Sequence, residues 1–156
     1  MTYEYLDNGS PDGSIARGLH GAGASAVGSA VTLTAADSNK IFLLDTASGS
    51  VVTLPTPAAG MKFRFVVSTS VTSNSHIIGG SAGEFLLGCL QMGIDTSATS
   101  EMQALNGTTH LTITMNGSTT GGLIGTVIDF EGISSTQWLV SGLVVGSGTL
   151  ATPATT

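Results

Sequence analysis

Charge is scarce in this chain of 156 residues: Asp, Glu, Lys and Arg together make up 9% of it. An average soluble protein carries about 25%. Aromatic residues are 5%, and there is one cysteine, Cys89. Each shortage excludes something. A lone cysteine permits no internal disulfide, so this is not a stapled secreted miniprotein. Four Lys and Arg against ten Asp and Glu leave a net charge of -6. The four cations, Arg17, Lys40, Lys62 and Arg64, are scattered. Nucleic-acid binding needs clustered cations, so no nucleic-acid partner is expected. No apolar run reaches the roughly 18 residues that span a bilayer, so no membrane partner is expected either. The N-terminus, MTYEYLDNGSPDG, is polar and does not read as a signal peptide. The chain is therefore expected to be made in a cytoplasm.

What fills the chain instead is Gly, Ser and Thr, together about 40% of residues and well above ordinary usage. Aliphatic residues supply the rest of the apolar content, and the composition is apolar enough to collapse. Charge keeps monomers apart. A surface this poor in charge reads as one meant to be covered by copies of itself or by a larger assembly.

Residues 1–29 differ from the rest. Turn signals come first, then a Gly/Ala/Ser tract, with no sustained helical or strand period. The expectation is an N-terminal arm over 1–29 and a β-body over 30–156. Tyr3, Tyr5 and Leu6 stand at strand spacing within the arm and read as an anchor for a partner.

From Val31 onward, short apolar runs alternate with Gly, Asn, Asp and Pro turn signals. Strands are expected near Val31–Thr34, Lys40–Leu44, Val51–Leu54, Met61–Ser68, His76–Ile78, Glu84–Leu90, Thr109–Met115, Gly125–Glu131 and Thr136–Val145. In the fourth of these, Phe63, Phe65 and Val67 take one face and Lys62 and Arg64 the other. A helical turn is the expectation for Ser97–Ala104. The fold class read from this pattern is all-β: an antiparallel β-sandwich or barrel of about nine short strands with an extended N-terminal arm. Leu139, Leu143 and Val145 lie on the strand parity opposite Trp138, Val140 and Val144. One set belongs to the core, and the other is covered by more of the chain or forms a subunit interface.

Chemistry is hard to place on this sequence. Asp129 and Glu131 share one face of a strand about 7 Å apart, which any i, i+2 acidic pair does. His20, His76 and His110 are isolated, and no nucleophile elbow surrounds a serine. Three separate histidines and one cysteine give no zinc spacing. Asp7–Gly13 has alternating oxygen ligands but lacks the closing glutamate of a calcium loop. Cys89, in FLLGCL, reads as a core residue that reacts slowly with thiol reagents. No cofactor, no metal and no enzymatic activity are expected.

Two stretches carry a likeness. TLTAADSNKIFLLDTASGSVVTLPTPAAGMKFRFVVSTSVTSN, residues 32–74, and GTVIDFEGISSTQWLVSGLVVGSGT, residues 125–149, resemble virion proteins of tailed bacteriophages, especially those of cyanobacterial and marine hosts. Those proteins look like capsid decoration, or cement, proteins. The resemblance implies a β-sandwich or β-tulip-like barrel as the body, often trimeric, on the outer surface of the capsid, with itself and the major capsid protein as partners. On this expectation Tyr3, Tyr5 and Leu6 grip the shell, and Leu139, Leu143 and Val145 meet a neighbouring subunit. The alternative is a head-fibre or tail-associated receptor-binding module, which would call for aromatic clusters at loop tips.

Overall fold

The computed structural model describes residues 23–156. Tyr3, Tyr5 and Leu6, His20 and the segment Asp7–Gly13 lie outside the described residues. Strand accounts for 48% of the structure and helix for 2%, so the chain is all-β.

Twelve strands form among the described residues. They are β1 (Ser25–Ala26), β2 (Ala30–Thr32), β3 (Lys40–Leu44), β4 (Val51–Thr53), β5 (Lys62–Val67) and β6 (His76–Gly79), followed by β7 (Phe85–Ile94), β8 (Ser100–Asn106), β9 (Thr112–Met115), β10 (Val127–Gly132), β11 (Gln137–Gly146) and β12 (Ala154–Thr155). One sheet has seven strands in the order β1-β3-β5-β10-β11-β7-β8. The other has five, in the order β12-β9-β6-β4-β2. The two sheets do not close into a barrel.

The first six strands alternate between the sheets. β1, β3 and β5 lie side by side in the larger sheet, and β2, β4 and β6 do so in the smaller one. Every pair within these two sets is parallel. The chain thus winds as a flat coil, and each strand returns beside the one two steps before it. Antiparallel pairing begins where β5 meets β10 and β6 meets β9. The sheets are therefore mixed, where the sequence reading expected antiparallel pairing throughout. Alternation of apolar and polar residues specifies which face is buried but not which direction a neighbour runs.

Two further expectations are corrected. Ser97–Ala104 is not a helical turn, because β8 occupies most of it. The body also starts earlier than residue 30: Ser25 and Ala26 pair with Phe42 and Leu43, and Val27 is 6% exposed in the core.

The core lies between the sheets. From the larger sheet it takes Phe42, Phe63, Phe65, Leu86, Leu90, Met92, Ile128, Phe130, Trp138, Val140 and Val144. From the smaller come Val52, Ile78, Ile113 and Met115. The rings form a chain, with Phe42 and Phe65 stacked at 5.6 Å, Phe65 edge-on to Phe130 at 5.6 Å, and Trp138 at 5.6 Å from Phe63. Such pairs add about 0.5–1.5 kcal/mol beyond area burial. Where β7 runs beside β11 the backbones approach closely. A Cβ at Gly88, whose φ is 126°, would sit 2.1 Å from the Val140 carbonyl oxygen, so only glycine fits there.

The one helical element among the described residues is a 3-10 turn at Ala35–Asp37. The Asp37 carboxylate accepts hydrogen bonds from the Lys40 ammonium, the Thr34 N–H and the Thr34 hydroxyl. Led by the Lys40 contact, these lower the Asp37 pKa to about 2. What this carboxylate adds to the turn is present above its unfolded value of 3.8 and is lost as pH falls through about 2.

His76 is wholly buried, and burial lowers its pKa despite the Thr69 carbonyl and the charge of Asp45. The unfolded chain takes up this proton more readily than the folded one. Stability from His76 is thus fully present above the unfolded pKa of 6.5 and is lost as pH falls below it. The expected result is a melting midpoint that drops between pH 7.5 and pH 5.5. A His76→Leu variant should show a smaller drop, and equal drops in the two proteins would contradict this.

Candidate interaction surface

Each strand of the larger sheet except β1, whose two residues are both exposed, has one face in the core and one turned outward. On β11 the pattern is strict: Trp138, Val140 and Val144 are fully buried, whereas Leu139 is 39% and Leu143 45% exposed. Val145 is half-buried on the same outward parity. The two parities that the sequence left open are thereby assigned.

Strand register turns these outward residues into rows. One row runs Leu43, Val66, Val127, Leu143, Gln91, Met102 across six strands, and all but Gln91 are apolar. A second runs Ile41, Arg64, Asp129, Ser141, Cys89, Ala104. A third runs Lys62, Glu131, Leu139, Leu87, Asn106. Four of the seven large apolar side chains exposed among the described residues lie in these rows: Ile41, Met102, Leu139 and Leu143. The outer face of the smaller sheet differs. Thr53, Thr112, Thr114 and Thr155 stand on it, with Val51 as its one large exposed apolar residue.

Charge on the larger face is confined to one side and neutralised in place. Arg64 grips Asp129 with two hydrogen bonds of 2.6 and 2.9 Å, and Lys62 lies 3.3 Å from Glu131. The Asp129 contact raises the Arg64 pKa. Both pairs are more than a third exposed, so each is worth at most about 1 kcal/mol. Their effect is to remove net charge from the face. Above them lies a cavity of about 460 Å³, lined among others by Asn39, Lys40, Ile41 and Ser141. The acidic pair noted in the sequence therefore consists of two carboxylates, each held by its own cation across the strand.

Cys89 is not a core residue. It is half-buried on the outward face, between Ser141 and Ala104, while its neighbours Leu86 and Leu90 point into the core. The expectation failed because β7 is apolar on both faces, so hydrophobicity along the strand gives no parity.

The histidines stay apart from this face. His76 sits in the core beside Ser50; its Nδ1 and the Ser50 hydroxyl find no hydrogen-bond partner among the described residues. His110 accepts the Asn106 N–H in a turn. No group of three or more His, Cys, Asp or Glu side chains among the described residues is placed to hold a metal ion.

Besides Cys89, the sequence reading misses Met102 and Ile41 on this surface. Met102 lies in the segment where a helical turn is expected, and Ile41 stands in a run, KIFLL, that is apolar on both parities. Compared with known proteins, the chain matches no family model, no curated protein and no solved structure.

Proposed function

We propose that this chain is a structural virion protein, a capsid decoration protein that binds the outside of a bacteriophage head as a trimer and reinforces the shell. The observation that carries the reading is the outer face of the seven-stranded sheet. An apolar face with its charges cancelled suits permanent contact with protein, because nothing on it needs water. Burying what remains exposed of Leu139 or Leu143 is worth about 1 kcal/mol each. In the trimer, Leu139, Leu143 and Val145 meet the neighbouring subunit. Tyr3, Tyr5 and Leu6 are assigned to the contact with the major capsid protein. The resemblance of residues 32–74 and 125–149 to phage decoration proteins supplies the location.

The test is a copy count on particles. Virions are separated from free protein, and the chain is quantified against the major capsid protein. Hundreds of copies on full heads are expected. A handful per particle would assign the chain to a fibre or tail instead, and none at all would remove it from the virion.

A further inference from the structure

Among the described residues the larger sheet ends on β8, and β8 is unlike the other edge strands. β1, β2 and β12 have two, three and two residues, whereas β8 has seven. A long open edge offers a row of backbone donors and acceptors to any passing strand. Natural sheets guard such edges with lysine, proline or a bulge. β8 reads SEMQALN, with Glu101 as its single charge, and its register with β7 is continuous from Ser100 to Asn106. Met102, at 65%, is the most exposed large apolar side chain among the described residues.

The ladder determines which groups are free. Ile94 N–H donates to the Thr99 carbonyl, and Gly107 N–H donates to the Leu86 carbonyl. Both pairs extend the β7–β8 register at its two ends. Antiparallel partners alternate between hydrogen-bonded and non-hydrogen-bonded pairs. Working inward from the ends, Glu101, Gln103 and Leu105 bond to β7. Ser100, Met102 and Ala104 turn their N–H and C=O groups toward the open edge. Asn106 also faces that way, but its N–H already donates to His110 Nδ1 at 3.2 Å. That closes one end of the edge.

We propose that β8 pairs antiparallel with β8 of a second copy of this chain, about a two-fold axis at Met102. This register uses all three free residues. Met102 faces its own counterpart, and Ser100 faces Ala104 of the second copy, for about six main-chain hydrogen bonds. Glu101 then stands opposite Gln103 of the second copy, so a carboxylate meets an amide and no like charges oppose each other. The two Met102 side chains lie side by side and join the apolar rows of both sheets into one. Such a contact is self-complementary and closes at two. It uses the sheet edge, whereas the proposed trimer uses the face. It therefore stands whether or not the trimer does.

Sedimentation of the full chain tests it. Met102→Pro deletes an N–H that β7 does not use and leaves the β7–β8 ladder intact. Met102→Lys brings two cations face to face. Each variant is expected to halve the mass of the wild-type assembly with an unchanged circular dichroism spectrum. In a Cys89→Ser background, Met102→Cys should oxidise to a disulfide-linked pair, since partners in such a ladder lie about 5.5 Å apart at Cα. Equal masses for wild type and both Met102 variants would overturn the proposal, as would failure of the Met102→Cys protein to cross-link. So would a halving caused by removing residues 1–22 but not by the Met102 variants, because the edge would then be filled by that segment.

Discussion

Trp138→Ala is expected to lower stability by about 3–5 kcal/mol, the usual cost of emptying a large aromatic site in a packed core. A domain of this size has only about 5–15 kcal/mol in total. The loss is therefore about a fifth or more of the whole stability, large enough to move the urea midpoint clearly. Three facts make this the most sensitive position. Trp138 is the largest wholly buried side chain among the described residues. It lies on β11, between β10 and β7, so its strand has a neighbour on both sides. Its ring touches the aromatic chain from two directions, 5.6 Å from Phe63 and 6.4 Å from Phe130. Surrounding strands cannot collapse into the space without breaking those ladders. Urea denaturation of the variant is the measurement, and a loss below about 1 kcal/mol would contradict the packing described.

The second large effect concerns association and should leave the fold intact. Leu139→Asp combined with Leu143→Asp places two carboxylates on the outer face, in rows that already contain Glu131 and Gln91. The backbone ladders of β11 are untouched, and both side chains already face solvent in the isolated chain. Each Leu loses about 1 kcal/mol of burial, and each new charge adds a desolvation penalty when the face is covered. Affinity for partner subunits should fall at least about 100-fold, which corresponds to 2.7 kcal/mol. The melting midpoint should move little. Comparison of sedimentation and thermal melting for the double variant separates the two. A variant that melts early would mean that these leucines support the fold, and one that associates normally would place the interface elsewhere.

Much of the body was legible in the sequence. All nine expected strands are present, because each alternates or is bounded by Gly, Pro or Asn turns. The three that went unread are short or ambiguous. β1 and β12 have two residues each, too few to show a period. β8 places Met102 and Leu105 three apart, a helical spacing, yet both are strand residues on opposite faces. Parallel pairing was not legible, since the one alternation of β5 serves it equally beside β3, where it runs parallel, and beside β10, where it runs antiparallel.

The candidate surface was half legible. Leu139, Leu143 and Val145 could be separated from Trp138, Val140 and Val144 by parity, but the sequence could not say which set faced outward. Lys62 and Arg64 are separated from Phe63, Phe65 and Val67 by the same alternation, and they lie on the outward side. Their pairing with Glu131 and Asp129 depends on β10 lying beside β5, a contact between segments far apart in the chain. Strand order of that kind has no local signal.

Cys89 offers the most direct test of whether the outer face of the larger sheet is covered in the working protein. It is the only thiol in the chain, and it stands in the middle of that face, in the row with Ser141 and Asp129. It is half-buried in the isolated chain, so a small alkylating reagent can reach it. The measurement is the alkylation rate of Cys89 in the native assembly, compared with the rate in the folded chain diluted until it dissociates. The account predicts slow labelling in the assembly and a rate at least about tenfold higher in the dissociated chain, a difference of about 1.4 kcal/mol in access. Equal rates in the two states would contradict it, because the face would then be open to solvent in both.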